Sequence, residues 1–169
     1  AAATVMVAGS VRLPSGVEWQ QTHVWNVVPQ FVGFLIFLIA VFAETNRLPF
    51  DLAEAEAELV AGFHTEYSAF KFALFFMGEY ANMIAASVLM VTLFFGGGTL
   101  PWFGLDQPAA SWWGGLLHMA IFFAKLAALM VLFVWVRWMW PRFRYDQLMA
   151  LGWKRLVPLA LANIVLTAT

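Results

Sequence analysis

Three apolar stretches, each about as long as a lipid bilayer is thick, dominate this chain of 169 residues. They run from about 24 to 43, from about 69 to 97 and from about 112 to 138. A helix needs roughly 20 apolar residues to cross a hydrocarbon core, and extra length is taken up by tilt. Lipid offers the backbone no hydrogen-bond partners, so a lipid-facing segment of this kind must satisfy its own N–H and C=O groups as a helix. The expected fold is therefore all-α: a polytopic transmembrane helix bundle forming one membrane domain. With 63% hydrophobic and 11% charged residues, the chain carries more apolar surface than one water-soluble core buries. Residues 1–11 and 156–169 are apolar but too short to span, and they read as partial spans of a longer protein. Trp19, Trp25, Trp102, Trp112, Trp113, Trp138, Trp140, Tyr145 and Trp153 crowd the ends of the spans, as an interfacial aromatic belt does.

Orientation follows from Lys and Arg. The segment after the third span holds Arg137, Arg142, Arg144, Lys154 and Arg155, whereas 98–111 holds neither residue type. The positive-inside rule puts the former on the cytoplasmic (or matrix) side and the latter on the opposite side. Counting backward, the 44–68 loop shares the positive side, flanked by Arg47 and Lys71. A net charge of −1 gives no basis for nucleic-acid binding. Absence of cysteine excludes disulfides and thiolate-held clusters on this chain, and His23, His64 and His118 lack metal-ligand spacing. If electrons are involved, another chain brings them.

Six of the ten acidic residues fall in the 44–68 loop: Glu44, Asp51, Glu54, Glu56, Glu58 and Glu66. Pro49 holds Leu48 extended, and Asp51 is placed to cap a helix from Leu52 to about Phe63, with Gly62 weakening its end. Helical phasing puts Leu52, Leu59, Val60 and Phe63 on an apolar face with Glu56 among them, and gathers Asp51, Glu54 and Glu58 opposite. One reading is an interfacial amphipathic helix with solvated acids. The alternative is a buried Glu56 whose carboxyl pKa is raised by desolvation, a property suited to proton transfer.

Two further ionisable groups sit inside spans. Glu79 lies about ten residues into the second, roughly 15 Å from its start, with Asn82, Met83 and Ala86 on its face. Lys125 is near the middle of the third, with His118 one heptad away. Their depths from the cytoplasmic side are similar, so a structural ion pair explains both. Otherwise such residues mark a proton or ion path.

The loop string ETNRLPFDLAEAEAELVAGFHTEYS, followed closely by KFALFFMGEYANM, resembles the signature of the membrane subunit 1 family of respiratory complex I, whose bacterial members are called the H subunit. PRFRYDQLMALGWKRLVPLAL is similar to that family's second signature. The resemblance covers nearly the whole chain, which then corresponds to the C-terminal half of a family member. It implies a role in NADH:quinone oxidoreductase, a translocase of a bacterial inner (or mitochondrial inner) membrane. The implied site is a quinone chamber shared with peripheral-arm subunits that carry the terminal iron–sulfur cluster, next to small membrane subunits. NADH, FMN and the clusters belong to partner chains, and quinone is the substrate. By motif position Glu44 and Glu79 match channel carboxylates. Glu54, Glu56, Glu58 and Glu66 match the acidic loop at the chamber, Arg47 and Asp51 its charged partners, and Phe63 lies in the same loop. The proton-relay set so expected is Glu44, Glu56, Glu66 and Glu79, to which helix phasing adds Lys125. Where the family commonly has Pro after the Asp–Leu pair, this chain has Ala53.

Two other functions compete. The membrane subunit of an energy-converting hydrogenase shares the ancestry, but the intact ETNRLPFDL and FHTEYS strings favour complex I. A secondary transporter explains buried charges but not the acid-rich loop. A plain membrane anchor explains neither Glu79 nor Lys125.

Overall fold

A computed structural model describes residues 2–45, 50, 69–100, 111–141 and 143–168. The described elements are helical: α1 (Ala2–Ala8), α2 (Leu13–Thr22), α3 (Phe31–Glu44), α4 (Ala69–Phe94), α5 (Trp112–Met139), α6 (Tyr145–Leu151) and α7 (Val157–Ala168). Among the described residues, three helical stretches are long and apolar enough to cross a membrane: Ala73–Phe94, Trp112–Met139 and Tyr145–Ala168. The chain is an all-α polytopic membrane protein.

The first apolar stretch is helical over only part of its length. Residues 24 and 25 are irregular, 26–30 form turns, and α3 begins at Phe31. Its 14 residues reach about 21 Å at 1.5 Å per residue, short of a hydrocarbon core. Pro29 has no N–H to give, and the turn is closed locally by Val28 N–H on Trp25 O (3.0 Å) and Gln30 N–H on Asn26 O (2.9 Å).

At the other end, the apolar segment expected from 156 is the second half of one helical run from Tyr145 to Ala168. Between α6 and α7, Gly152–Leu156 forms a wider turn in which Val157 N–H bonds Gly152 O, five residues back. Pro158 supplies the reason. Its ring lacks an N–H and would press on the carbonyl four residues earlier, and a turn of π geometry makes room without breaking the helix.

Helices α3, α4 and α5 form the centre. Ser87 Oγ lies 3.8 Å from Met130 Sδ, and His118 Nδ1 reaches Gly98 O at 3.1 Å, so α4 and α5 run antiparallel. Phe34 packs on Phe94 (ring centroids 5.4 Å) while Phe42 packs on Phe133 (4.3 Å), which sets α3 antiparallel to α4 as well. Met83, Met90, Val91, Phe94, Leu129 and Phe133 are buried between them. The outer faces are not covered. Only 11% of the apolar window of α5 is buried, and Trp112, Trp113 and Trp138 are each more than three-quarters exposed at its two ends. Bare apolar helix with Trp at both rims is the surface that lipid or other membrane helices cover.

Candidate functional site

The helix directions bring the C-terminus of α3, the start of α4 and the end of α5 to one end of the bundle. Glu44 is the last residue of α3 and is exposed; Glu79 is half-buried on α4. Their relative height follows from the ring and side-chain contacts. Phe42 touches Phe133, and three residues earlier on α5 Met130 touches Ser87, so Phe42 is level with about residue 84 of α4. Continuing both helices at 1.5 Å per residue puts Glu44 and Glu79 within about 5 Å of each other along the bundle axis. On α4, Met83 is buried, Ala86 half-buried and Asn82 exposed, so the helix face beside Glu79 turns partly inward.

The acidic segment leaves and re-enters at this same end. Phe50 is buried and stacks on Phe143 with centroids 5.6 Å apart. Arg137, in the last turn of α5, lies here too. Arg47, Asp51, Glu54, Glu56, Glu58, Phe63 and Glu66, with the expected helix from Leu52 to Phe63, lie outside the described residues.

Lys125 is elsewhere, and the expected pairing with Glu79 does not occur. Its ammonium donates to Phe95 O (2.7 Å), Gly97 O (2.9 Å) and Thr99 O (2.6 Å), just past the far end of α4. Sixteen residues of chain, almost all of it helix and therefore about 24 Å, separate Glu79 from Phe95. The depth comparison failed because α4 ends well inside the span of α5. Counting from each helix's cytoplasmic end ignored that stagger.

Sequence reading also missed the side chains that complete this far end. Gln20 Nε2 donates to Thr92 O (3.1 Å) and Leu93 O (3.3 Å), and Asn26 Nδ2 to Leu93 O (2.9 Å). Val27 N–H bonds Phe94 O at 3.1 Å. A helix leaves its last four carbonyls without internal partners, and here Gln20 of α2, with Asn26 and Val27 of the segment before α3, meets those of Thr92, Leu93 and Phe94. For Asn26 the available signal was an uncharged amide in apolar surroundings, which in membranes marks a helix contact, whereas Gln20, beside Gln21 and Thr22, carries no such mark.

Comparison with known proteins carries the chain further. The family model for NADH dehydrogenase matches residues 1–168. The chain belongs to that family. The NADH-quinone oxidoreductase H subunit of Leptospira biflexa is 52% identical over 158 residues, which is 92% of this chain and 43% of that protein. The H subunit of the same name from Rhodospirillum rubrum is 49% identical over 166 residues, 98% of this chain and 48% of that protein. NADH-quinone oxidoreductase subunit 8 of Rhodothermus marinus is 47% identical over 173 aligned residues, 97% of this chain and 51% of that protein. The chain spans about half the length of the curated relatives it matches.

Proposed function

We propose that this chain serves in the membrane subunit of a proton-pumping NADH:quinone oxidoreductase, where it forms part of the quinone chamber and of the carboxylate relay. The names of its relatives support the reading, and one geometric observation carries it. Glu44 and Glu79 come to nearly one height, at the end of the bundle from which the acidic 44–68 segment leaves and to which it returns.

Reducing a quinone to a quinol takes two electrons and two protons. The electrons arrive from an iron–sulfur cluster on a peripheral-arm partner, fed by NADH and FMN on further subunits. This chain supplies carboxylates. Charge appearing on the quinone changes the protonation of the nearest acids, for which Glu56 and Glu66 are the candidates. Glu44 and Glu79 pass that change into the membrane. Arg47, Asp51, Glu54, Glu58 and Phe63 belong to the chamber wall. The membrane is a bacterial plasma membrane, or the inner membrane of a mitochondrion if the gene is organellar.

Affinity purification of the full-length protein tests the assignment. The expected result is co-purification of an NADH-oxidising flavoprotein and iron–sulfur subunits, with NADH-driven quinone reduction that acidifies one side of a proteoliposome. Recovery of a nickel hydrogenase subunit instead would move the chain to the energy-converting hydrogenases.

A further inference from the structure

Beyond α4 the backbone closes into a small cage. Gly96 and Gly97 take left-handed conformations (φ 64° and 61°), which turn the chain back across the helix end. The carbonyls of Phe95, Gly97 and Thr99 then converge on one point, where the Lys125 ammonium sits at 2.6–2.9 Å from each. An ammonium has three hydrogens to give, and the three carbonyls match that number. The ring of Trp25 covers it, with Nζ 4.4 Å from the ring centroid. Trp25 is itself held edge-on against Phe95.

We propose that this cage is a monovalent-cation site of the primary-ammonium type, filled by the chain's own Lys125, and that Lys125 acts there as a fixed cation that positions the end of α4. Three lines carry the inference. The site has the parts of a cation site in a membrane protein: converging carbonyls at a helix C-terminus, where the dipole favours positive charge, and an aromatic face. All three ammonium hydrogens are committed, which suits a tether and not a carrier that must hand a proton on. The cage also joins three parts of the fold at once, because Trp25 belongs to the segment before α3, the carbonyls to the chain that turns back after α4, and the lysine to α5. An arginine does not replace the lysine. Its planar fork sends its hydrogens outward in a plane, whereas these carbonyls surround a point.

The test uses the full-length protein in native membranes and rests on the proposed quinone reductase only for its second readout. First, hydrogen–deuterium exchange is followed in peptides covering 25–30 and 91–100. In Lys125→Ala both should exchange on the order of tenfold faster, the loss of charge-assisted bonds expressed as a local opening. Adding n-propylammonium, the part of the side chain that alanine lacks, should restore protection saturably. Guanidinium should not, and Lys125→Arg should behave like Lys125→Ala. Unchanged exchange in Lys125→Ala, or no response to propylammonium, would overturn the site.

Second, quinone reduction by the assembled Lys125→Ala complex should recover with propylammonium and with the less basic 3-fluoropropylammonium to the same level, compared at equal concentrations of the ammonium form. Recovery that follows amine basicity would make Lys125 a proton carrier and overturn the fixed-cation assignment. If the wild-type complex reduces no quinone, the proposed function fails while the exchange measurement still decides the cage.

Discussion

Asn163 donates a 2.9 Å hydrogen bond from Nδ2 to Oε1 of Gln30, tying the C-terminal helix α7 to the first residue before α3 across 133 positions of sequence. Gln30 in turn donates to Thr167 Oγ1 (2.8 Å), and Thr167 donates back to Asn163 O (2.6 Å). The two helices are thus joined by a closed polar cluster in apolar surroundings. A hydrogen bond between membrane helices contributes about 0.6 kcal/mol on average and up to about 1.7.

Removing one member of that cluster leaves another buried amide without its partner. Asn163→Leu should therefore destabilise the full-length protein by about 1 kcal/mol in SDS-induced unfolding. Gly33→Ala attacks the same cluster, since an added Cβ would lie 3.1 Å from Asn163 Nδ2 and 3.2 Å from Gln30 Oε1. Because the two changes share partners, their effects should be clearly less than additive. Full additivity would show that Gly33 contributes independently of the amides.

Gly98 offers a sharper steric test. A Cβ there would stand 2.5 Å from His118 O and 3.2 Å from His118 C, both backbone atoms of α5 that have no rotamer to move. Gly98→Ala should cost about 1–3 kcal/mol, as overpacking does, and lower the amount of folded protein recovered from the membrane. Gly97 is the comparison. Its φ of 61° disfavours a side chain, but its nearest neighbours are the Val17 methyls at 3.8 Å. Gly97→Ala should pay only the left-handed strain of about 1–2 kcal/mol without forcing α4 and α5 apart. Crosslinking between the two helices near 98 and 118 should weaken in Gly98→Ala alone.

These contacts also show what the sequence could and could not convey. The apolar runs of α4 and α5 were legible because lipid acts on each residue separately, so length and hydropathy suffice. The true start of α3 was not, because Val24, Trp25, Val27 and Val28 are as apolar as helix residues while Pro29 and the amides of Asn26 and Gln30 set the turn. The length of the last helix was hidden by Lys154, Arg155 and Pro158, which interrupt its apolar run without ending it. Gln20 against Leu93, and Lys125 against Thr99, depend on how far each helix is staggered against its neighbour. That stagger is a property of packing and has no local signature. Glu79 stands out in the sequence for a local reason, since an acid within an apolar run has few structural excuses.

Glu79→Gln keeps the shape and hydrogen-bonding capacity of the side chain while removing its titratable proton. If Glu79 belongs to the relay, proton-coupled quinone reduction should fall by about tenfold or more in complexes assembled to the normal level, the scale on which positioned acids and bases act. Proton release and quinone reduction should be measured together in proteoliposomes. Wild-type rates of both would leave Glu79 a structural role at the helix interface.

Glu56 provides the last comparison, because helical phasing separates it from its neighbours. In the helix that the sequence predicts from Leu52 to Phe63, it would fall on the apolar side and Glu54 and Glu58 on the other. Burial on that side would raise its carboxyl pKa, and a cation such as Arg47 close by would lower it again. Opposed effects of this kind hold a carboxyl near the point where a charge arriving on quinone can change its protonation. Glu56→Gln should then depress quinone reduction several-fold more than Glu54→Gln, at equal assembly, with the scale again set by about 1.4 kcal/mol for each tenfold in rate. The decisive measurement is the ratio of the two rates with the amount of assembled complex held equal. A ratio near one would mean that the segment does not present Glu56 on a buried face, and the relay would have to begin at Glu66 or Glu44 instead.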